Sequence, residues 1–316
     1  MSKGTNYCLM TNDVETTSIT HNYLSDETGE KVLRKGMPKL LKLYKDYNIK
    51  STFFFTGYIA EKFPEVVSMV LPYGHEVGCH GYSHKTEMGF DLLNYSQQVE
   101  HLKKAKGILE NISGEEVISF RAPALRVNKF TPKALLDTGF KIDSSTSAQR
   151  IDMFFSHGSK KKLNWLIQPR LPYFVDINNI WKKGNSQLFE VPISAIAFPY
   201  IGTFMRIFPL FIRLLHSLLH FETRVNKKPV VFLLHPNELI REDEDEKGKH
   251  YELKNIKTKS SNISYYLKNV IRHKLKLNNL GEKASLLFDK ELKFFVNKNY
   301  KFATIRDYYY DLISHH

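Results

Sequence analysis

The feature that most constrains this chain is a regular exchange of short apolar runs and amphipathic segments through its first two thirds. Tyr7-Cys8-Leu9-Met10-Thr11 is apolar and ends in Asn12-Asp13, and Ser51-Thr52-Phe53-Phe54-Phe55 is a second such run, closed by Gly57. Both have the length and content of strands buried on two faces. His75 to His80 gives a third, Val117 to Phe120 a fourth, Lys141-Ile142-Asp143 opens a fifth, and Gln187 to Pro192 and Pro229 to Leu234 supply two more. Between them lie helical patterns. Met37, Leu40, Leu41, Leu43 and Tyr44 recur at helical spacing, Pro64 opens a helix that Gly74 stops, Tyr95 to Glu110 turns Val99, Leu102, Ile108 and Leu109 inward, and Thr131 to Thr138 ends at Gly139. About seven βα units in ~235 residues predict a parallel sheet curled into a closed or nearly closed barrel.

The chain has 316 residues, and α/β barrels of ~250 residues run as one domain. We read 1–240 as the barrel, 241–290 as a charged, Lys-rich extension packing on or near it, and 291–316 as a closing strand and helix. The extension opens on the acidic run Glu242-Asp243-Glu244-Asp245-Glu246. Lys plus Arg is 46 against 33 Asp plus Glu, a formal net charge of +13 that favours an anionic partner. Cys8 and Cys79 form no disulfide framework or zinc-finger spacing and read as small buried side chains. The start MSKGTNYCLMTNDVE has no apolar core of a signal peptide, so the expected location is the cytosol. No glycine-rich phosphate loop and no nucleic-acid motif is present, which argues against nucleotide hydrolysis and nucleic-acid binding.

Polar residues of catalytic type collect where the apolar runs end. Asp13 and Glu15 follow the first, His80 and His84 the third, Arg121 the fourth, Asp143 the fifth and His235 the last. In a parallel barrel those ends share the face that carries the site. Residues i and i+2 of an extended chain share a side, so Asp13 and Glu15 can both point into the barrel mouth. Two imidazoles four residues apart face the same way on a helical turn and can share one divalent ion, with a third ligand completing a site that keeps an open position.

These residues sit in motifs that resemble the polysaccharide deacetylase family with the NodB homology domain, carbohydrate esterase family 4. Ser51-Thr52-Phe53-Phe54, Gly74-His75-Glu76-Val77-Gly78 and His80-Gly81-Tyr82-Ser83-His84 are similar to its second motif and lead-in. Phe120-Arg121-Ala122-Pro123 resembles the third motif, Ile142-Asp143-Ser144-Ser145 the fourth and Val231-Phe232-Leu233-Leu234-His235-Pro236 the fifth. Glu190-Val191-Pro192 and the closing Tyr300 to Ile305 segment also fit. The resemblance implies a distorted (β/α)7 TIM-like barrel and metal-dependent removal of an N-acyl group from an amino sugar. It implies Asp13 as general base, His235 as general acid, Arg121 orienting Asp13, Asp143 orienting His235, and the backbone of Ala124 facing the oxyanion. It implies a divalent metal, Zn2+ first and Co2+, Ni2+ or Fe2+ as alternatives, on Glu15, His80 and His84. Two departures stand out: Asp13-Val14-Glu15 replaces adjacent aspartates, and the fourth motif lacks its tryptophan.

The expected function is therefore N-deacetylation in glycan or glycolipid biosynthesis, on a free, nucleotide-linked or lipid-linked amino sugar. The alternatives are a C–N hydrolase of a small non-sugar amide and a catalytically silent glycan- or lipid-binding barrel. One segment stands apart. Phe198 to Phe221 is strongly apolar, and Arg206, Arg213 and His220 recur every seven residues, which predicts a basic stripe on one helix. Such a helix suits peripheral contact with an anionic membrane at its inner face.

Overall fold

In the computed structural model, residues 4–21, 23–150, 164–241, 271 and 273–314 are described. The acidic run and most of the 241–290 segment lie outside them. Seven parallel strands form the core sheet: β1 (Tyr7–Val14), β2 (Thr52–Phe55), β3 (Glu76–Cys79), β4 (Ser119–Phe120), β5 (Ile142–Asp143), β8 (Phe189–Glu190) and β11 (Val230–Leu234). Their spatial order is β11-β1-β2-β3-β4-β5-β8. The sheet curls as a half-barrel, the mixed α/β architecture of the NodB (β/α)7 type. β8 and β11 do not pair; the gap is bridged by the Ser194 N–H donating to Val231 O and the Leu233 N–H donating to Tyr200 O.

Helices cover the outside of the sheet, which is why the strands are apolar on both faces. They are α1 (Asp26–Lys31), α2 (Met37–Asp46), α3 (Gly57–Lys62), α4 (Glu65–Ser68), α5 (Tyr95–Ser113), α6 (Thr131–Asp137), α7 (Gly202–Ile207) and α8 (Pro209–Asn226). α5 shows the local logic. Asn94 and Gln97 form a reciprocal capping box at its start, and Gly114 at φ 70° ends it in the left-handed conformation. Its buried Leu102, Ala105 and Leu109 face the sheet.

Two features depart from the sequence reading. β6 (Tyr173–Asp176) and β7 (Asn179–Lys183) form an antiparallel hairpin whose first strand extends the sheet antiparallel to β8. The Phe198–Phe221 stretch is not one helix. Phe198–Pro199 is a short strand, β10, paired with β9 (Ala195–Ile196), and α7 stops before Pro209, which lacks the N–H needed to continue it. In the closing segment, β12 (Lys301–Phe302) pairs with the start of β1, between helices Glu282–Asn297 and Ile305–Ile313. The second of these is locked to the sheet floor: Glu76 accepts from Ser119 Oγ, Thr52 Oγ1 and the Arg306 N–H.

Candidate active site

β1 runs straight into the site. Thr11, Asp13 and Glu15 alternate onto one side of the extended chain, as the i, i+2 spacing requires. Asp13 is opposite Phe54 in the β1–β2 register. Arg121, fully buried just past β4, reaches across the barrel. Its Nη1 donates to Thr11 Oγ1 at 2.8 Å and to Asp13 Oδ1 at 2.9 Å, while Nε and Nη2 donate to the Ser144 carbonyl and hydroxyl. The guanidinium also lies 4.4 Å from the centroid of the Phe54 ring. Every face of this buried cation is therefore compensated, as burial demands.

Burial alone would raise the Asp13 pKa, but His80, Arg121 and His235 hold it below the usual carboxylate value. With Oδ1 committed to Arg121, Oδ2 faces the site, 3.6 Å from His80 Nε2.

Glu15, His80 and His84 converge: one donor atom from each lies within 4.8 Å of the other two. His80 Nδ1 donates to the Arg121 carbonyl at 2.8 Å, which leaves Nε2 as the unprotonated nitrogen. Burial also lowers its pKa. That Nε2 and Glu15 Oε2 are buried and make no hydrogen bond, although His84 Nε2 is 3.1 Å from the carboxylate oxygen. Two aimed, unsatisfied donor atoms and a third ligand, with one imidazole fixed through its other nitrogen, are the donor set of a divalent-cation site. The two histidines are not on a helical turn. They sit on a loop, where Gly81 at φ 67° turns the chain and a Cβ would come 3.1 Å from the Phe90 ring.

The structure corrects the expected partner of His235. Asp143 does not reach it; Glu238 does. Glu238 Oε1 accepts from the His235 backbone N–H at 3.3 Å and lies 3.1 Å from Nδ1. Burial alone would lower the His235 pKa, yet Glu238, then Asp13 and Glu15, push it up to about 9. Glu238 is in turn gripped by Arg206 Nε at 2.5 Å, both side chains being about 1% exposed. Arg206 is therefore no part of an exposed basic stripe. Its Nη1 donates to the carbonyls of Lys276 and Asn278. His220 instead turns toward Tyr300, with Nδ1 3.0 Å from the hydroxyl.

Asp143 occupies a different place. It is fully buried, accepts from Ser145 Oγ, and faces Glu190. Burial raises the pKa of both carboxyls, and the charge of Asp143 raises that of Glu190 further. Ala124 lines the cleft at φ 54°, ψ 21°, a left-handed conformation that costs a non-glycine residue roughly 1 kcal/mol or more. The cleft is about 580 Å³ and is also lined by Asp13, Glu15, His84, Arg206, His235 and Glu238. That size suits a sugar-sized ligand. Glu238 and Arg206 escaped the sequence reading; a glutamate three residues after a strand-end histidine was the available signal.

The polysaccharide deacetylase family model matches residues 23–142, which hold His80, His84, Arg121 and Ala124. The peptidoglycan deacetylase of Helicobacter pylori is 36% identical over 110 residues, 35% of this chain and 36% of that protein. A peptidoglycan-N-acetylglucosamine deacetylase of Bacillus cereus is 36% identical over 86 residues, 27% of this chain and 30% of its own. The matches thus span about a third of those relatives' lengths. A Mycobacterium smegmatis crystal structure described as a polysaccharide deacetylase superposes with a TM-score of 0.55 at 22% identity, over 74% of this chain and 78% of that one, and so shares the fold. The family match thus covers the second and third motifs, and across residues 23–142 this chain is similar to the polysaccharide deacetylase family, with the fold in common.

Proposed function

We propose that this chain is a metal-dependent N-deacetylase of an amino sugar, working in cytosolic glycan or glycolipid assembly. The observation that carries the reading is the convergence of Glu15, His80 and His84 beside Asp13 and His235 in one cleft. Glu15, His80 and His84 would hold a divalent cation, with Zn2+ the best fit to two imidazoles and a carboxylate, which supplies Lewis acidity toward the acyl oxygen and makes water more acidic.

The chain's own residues supply the proton transfers. Arg121 fixes Asp13 through Oδ1, and Oδ2 takes a proton from the attacking water. The water oxygen bonds to the amide carbon, and the backbone at Ala124 supports the resulting oxyanion. His235, held protonated by Glu238, gives its proton to the amine nitrogen as the C–N bond breaks. The products are a carboxylic acid and a free amino sugar.

The test is mass spectrometry of N-acetylated amino sugars, free, nucleotide-linked and lipid-linked, incubated with the zinc-loaded protein. Loss of one acetyl group from any of them is expected. A protein that binds stoichiometric zinc yet deacetylates none overturns the reading.

A further inference from the structure

We propose that the outer face of α8 is a docking surface for an anionic lipid bilayer, with the mouth of the cleft at its edge. Leu210, Leu214, Leu218, Phe221 and Val225 are spaced by three or four residues, so they form one stripe along the helix. All five are exposed, Leu210 to 78%, Phe221 to 67% and Val225 to 68%, while Ile212, Leu215 and Leu219 on the opposite side pack into the core. A continuous apolar stripe of this length on a folded chain marks an interaction surface.

Charge selects the occupant. From Gly202 to Phe221 there is no acidic residue. Arg213, Arg224 and Lys227 are exposed beside the stripe. A groove at its far end is lined by Arg224, Lys227 and Lys298. The one acidic residue of α8, Glu222, is occupied by Arg170 and Lys228. An apolar face flanked only by available cations is complementary to acyl chains beneath anionic headgroups. A second copy of the chain would bring the same cations together, against a net charge of +13 on each.

Position adds to the argument. Thr203 and Arg206 of α7 line the cleft, and α8 starts at Pro209, so Phe208 and Leu210 stand at the mouth end of the stripe. No helix among the described residues is long and apolar enough to cross a membrane, so the mode is adsorption. A surface-bound cleft suits a lipid-linked amino sugar; that consequence rests on the deacetylase reading, whereas the adsorption does not.

The experiment is co-sedimentation of the full chain with phosphatidylglycerol–phosphatidylcholine vesicles and with pure phosphatidylcholine vesicles. We expect pelleting with the anionic vesicles at low salt, release at about 0.5 M salt as screening shortens to a few ångströms, and a loss of at least tenfold in Leu214→Glu/Phe221→Glu. Lys103→Gln/Lys129→Gln, which alters net charge by the same amount away from α8, should still pellet. Leu214→Ser/Phe221→Ser reads the same surface if the glutamate pair perturbs the helix by circular dichroism. Wild type left in the supernatant at low salt, equal pelleting of both α8 variants, or a dimer in vesicle-free sedimentation that these variants dissociate each overturns the proposal. Deacetylation of a water-soluble substrate measured in the same samples separates loss of docking from loss of chemistry.

Discussion

Glu238 Oε1 stands 3.1 Å from His235 Nδ1, and the same carboxylate closes on Arg206 at its other oxygen. The carboxylate beside the candidate acid therefore comes from the loop after β11 and not from β5. A general acid must be protonated, so activity falls as pH rises through its pKa, here pushed up to about 9. Glu238→Gln keeps a hydrogen-bonding side chain but removes the charge, and the His235 pKa should drop toward the ordinary ~6.5. The alkaline limb of the kcat/KM profile should move down by a unit or more, with a loss on the order of tenfold at pH 8. Asp143→Asn should leave that limb in place, because Asp143 faces Ser145 and Glu190 whereas Glu238 is the carboxylate at His235 Nδ1. An alkaline limb that shifts in the Asp143 variant and not in the Glu238 variant would restore the β5 carboxylate as the partner.

The cation site makes a separate prediction. His80→Ala and His84→Ala should each abolish stoichiometric zinc in elemental analysis of the dialysed protein, without changing the circular dichroism spectrum. His80 carries the stricter requirement, since its Nδ1–H is fixed on the Arg121 carbonyl. Retention of a full metal equivalent by either variant would show that the ligand set is wrong.

Much of this arrangement was legible in the sequence because strands buried on both faces leave an unmistakable apolar run, and the polar residue that ends each run is forced toward the barrel mouth. Asp13, His80, Arg121 and His235 were found that way. The roles of Glu238 and Arg206 were not, for different reasons. Glu238 lies in a short loop with no periodicity to mark its direction. Arg206 shares heptad spacing with Arg213 and His220, and only the break before Pro209 turns it inward. The β6–β7 hairpin was hidden because four of its nine strand residues are exposed and its strands lack a long continuous apolar run.

Asp13 should behave differently from the cation ligands. Asp13→Asn should lose about 10²–10⁴ in kcat, the usual range for removal of a positioned base, while retaining zinc in elemental analysis. Arg121 still has its Ser144 and Thr11 partners in that variant, so the fold should survive. Turnover close to wild type would remove Asp13 from the chemistry.

His75 gives a prediction about stability that is independent of the site. It sits just before β3, at the floor of the barrel, where Nδ1 accepts from the Ser51 N–H at 3.1 Å. Burial, and then the nearby Lys50, lower its pKa to about 4. The unfolded chain has a histidine near ~6.5. Between those two values the unfolded state takes up a proton that the folded state refuses. The stability is therefore present above pH ~6.5 and is lost as pH falls toward about 4, by roughly 3 kcal/mol across the full window. His75→Asn keeps a hydrogen-bond acceptor for Ser51 and cannot titrate. In urea unfolding at pH 7 and pH 4.5, the wild-type chain should lose about 2 kcal/mol more than this variant. Equal losses in the two proteins would mean that His75 protonates as readily in the folded chain as in the unfolded one.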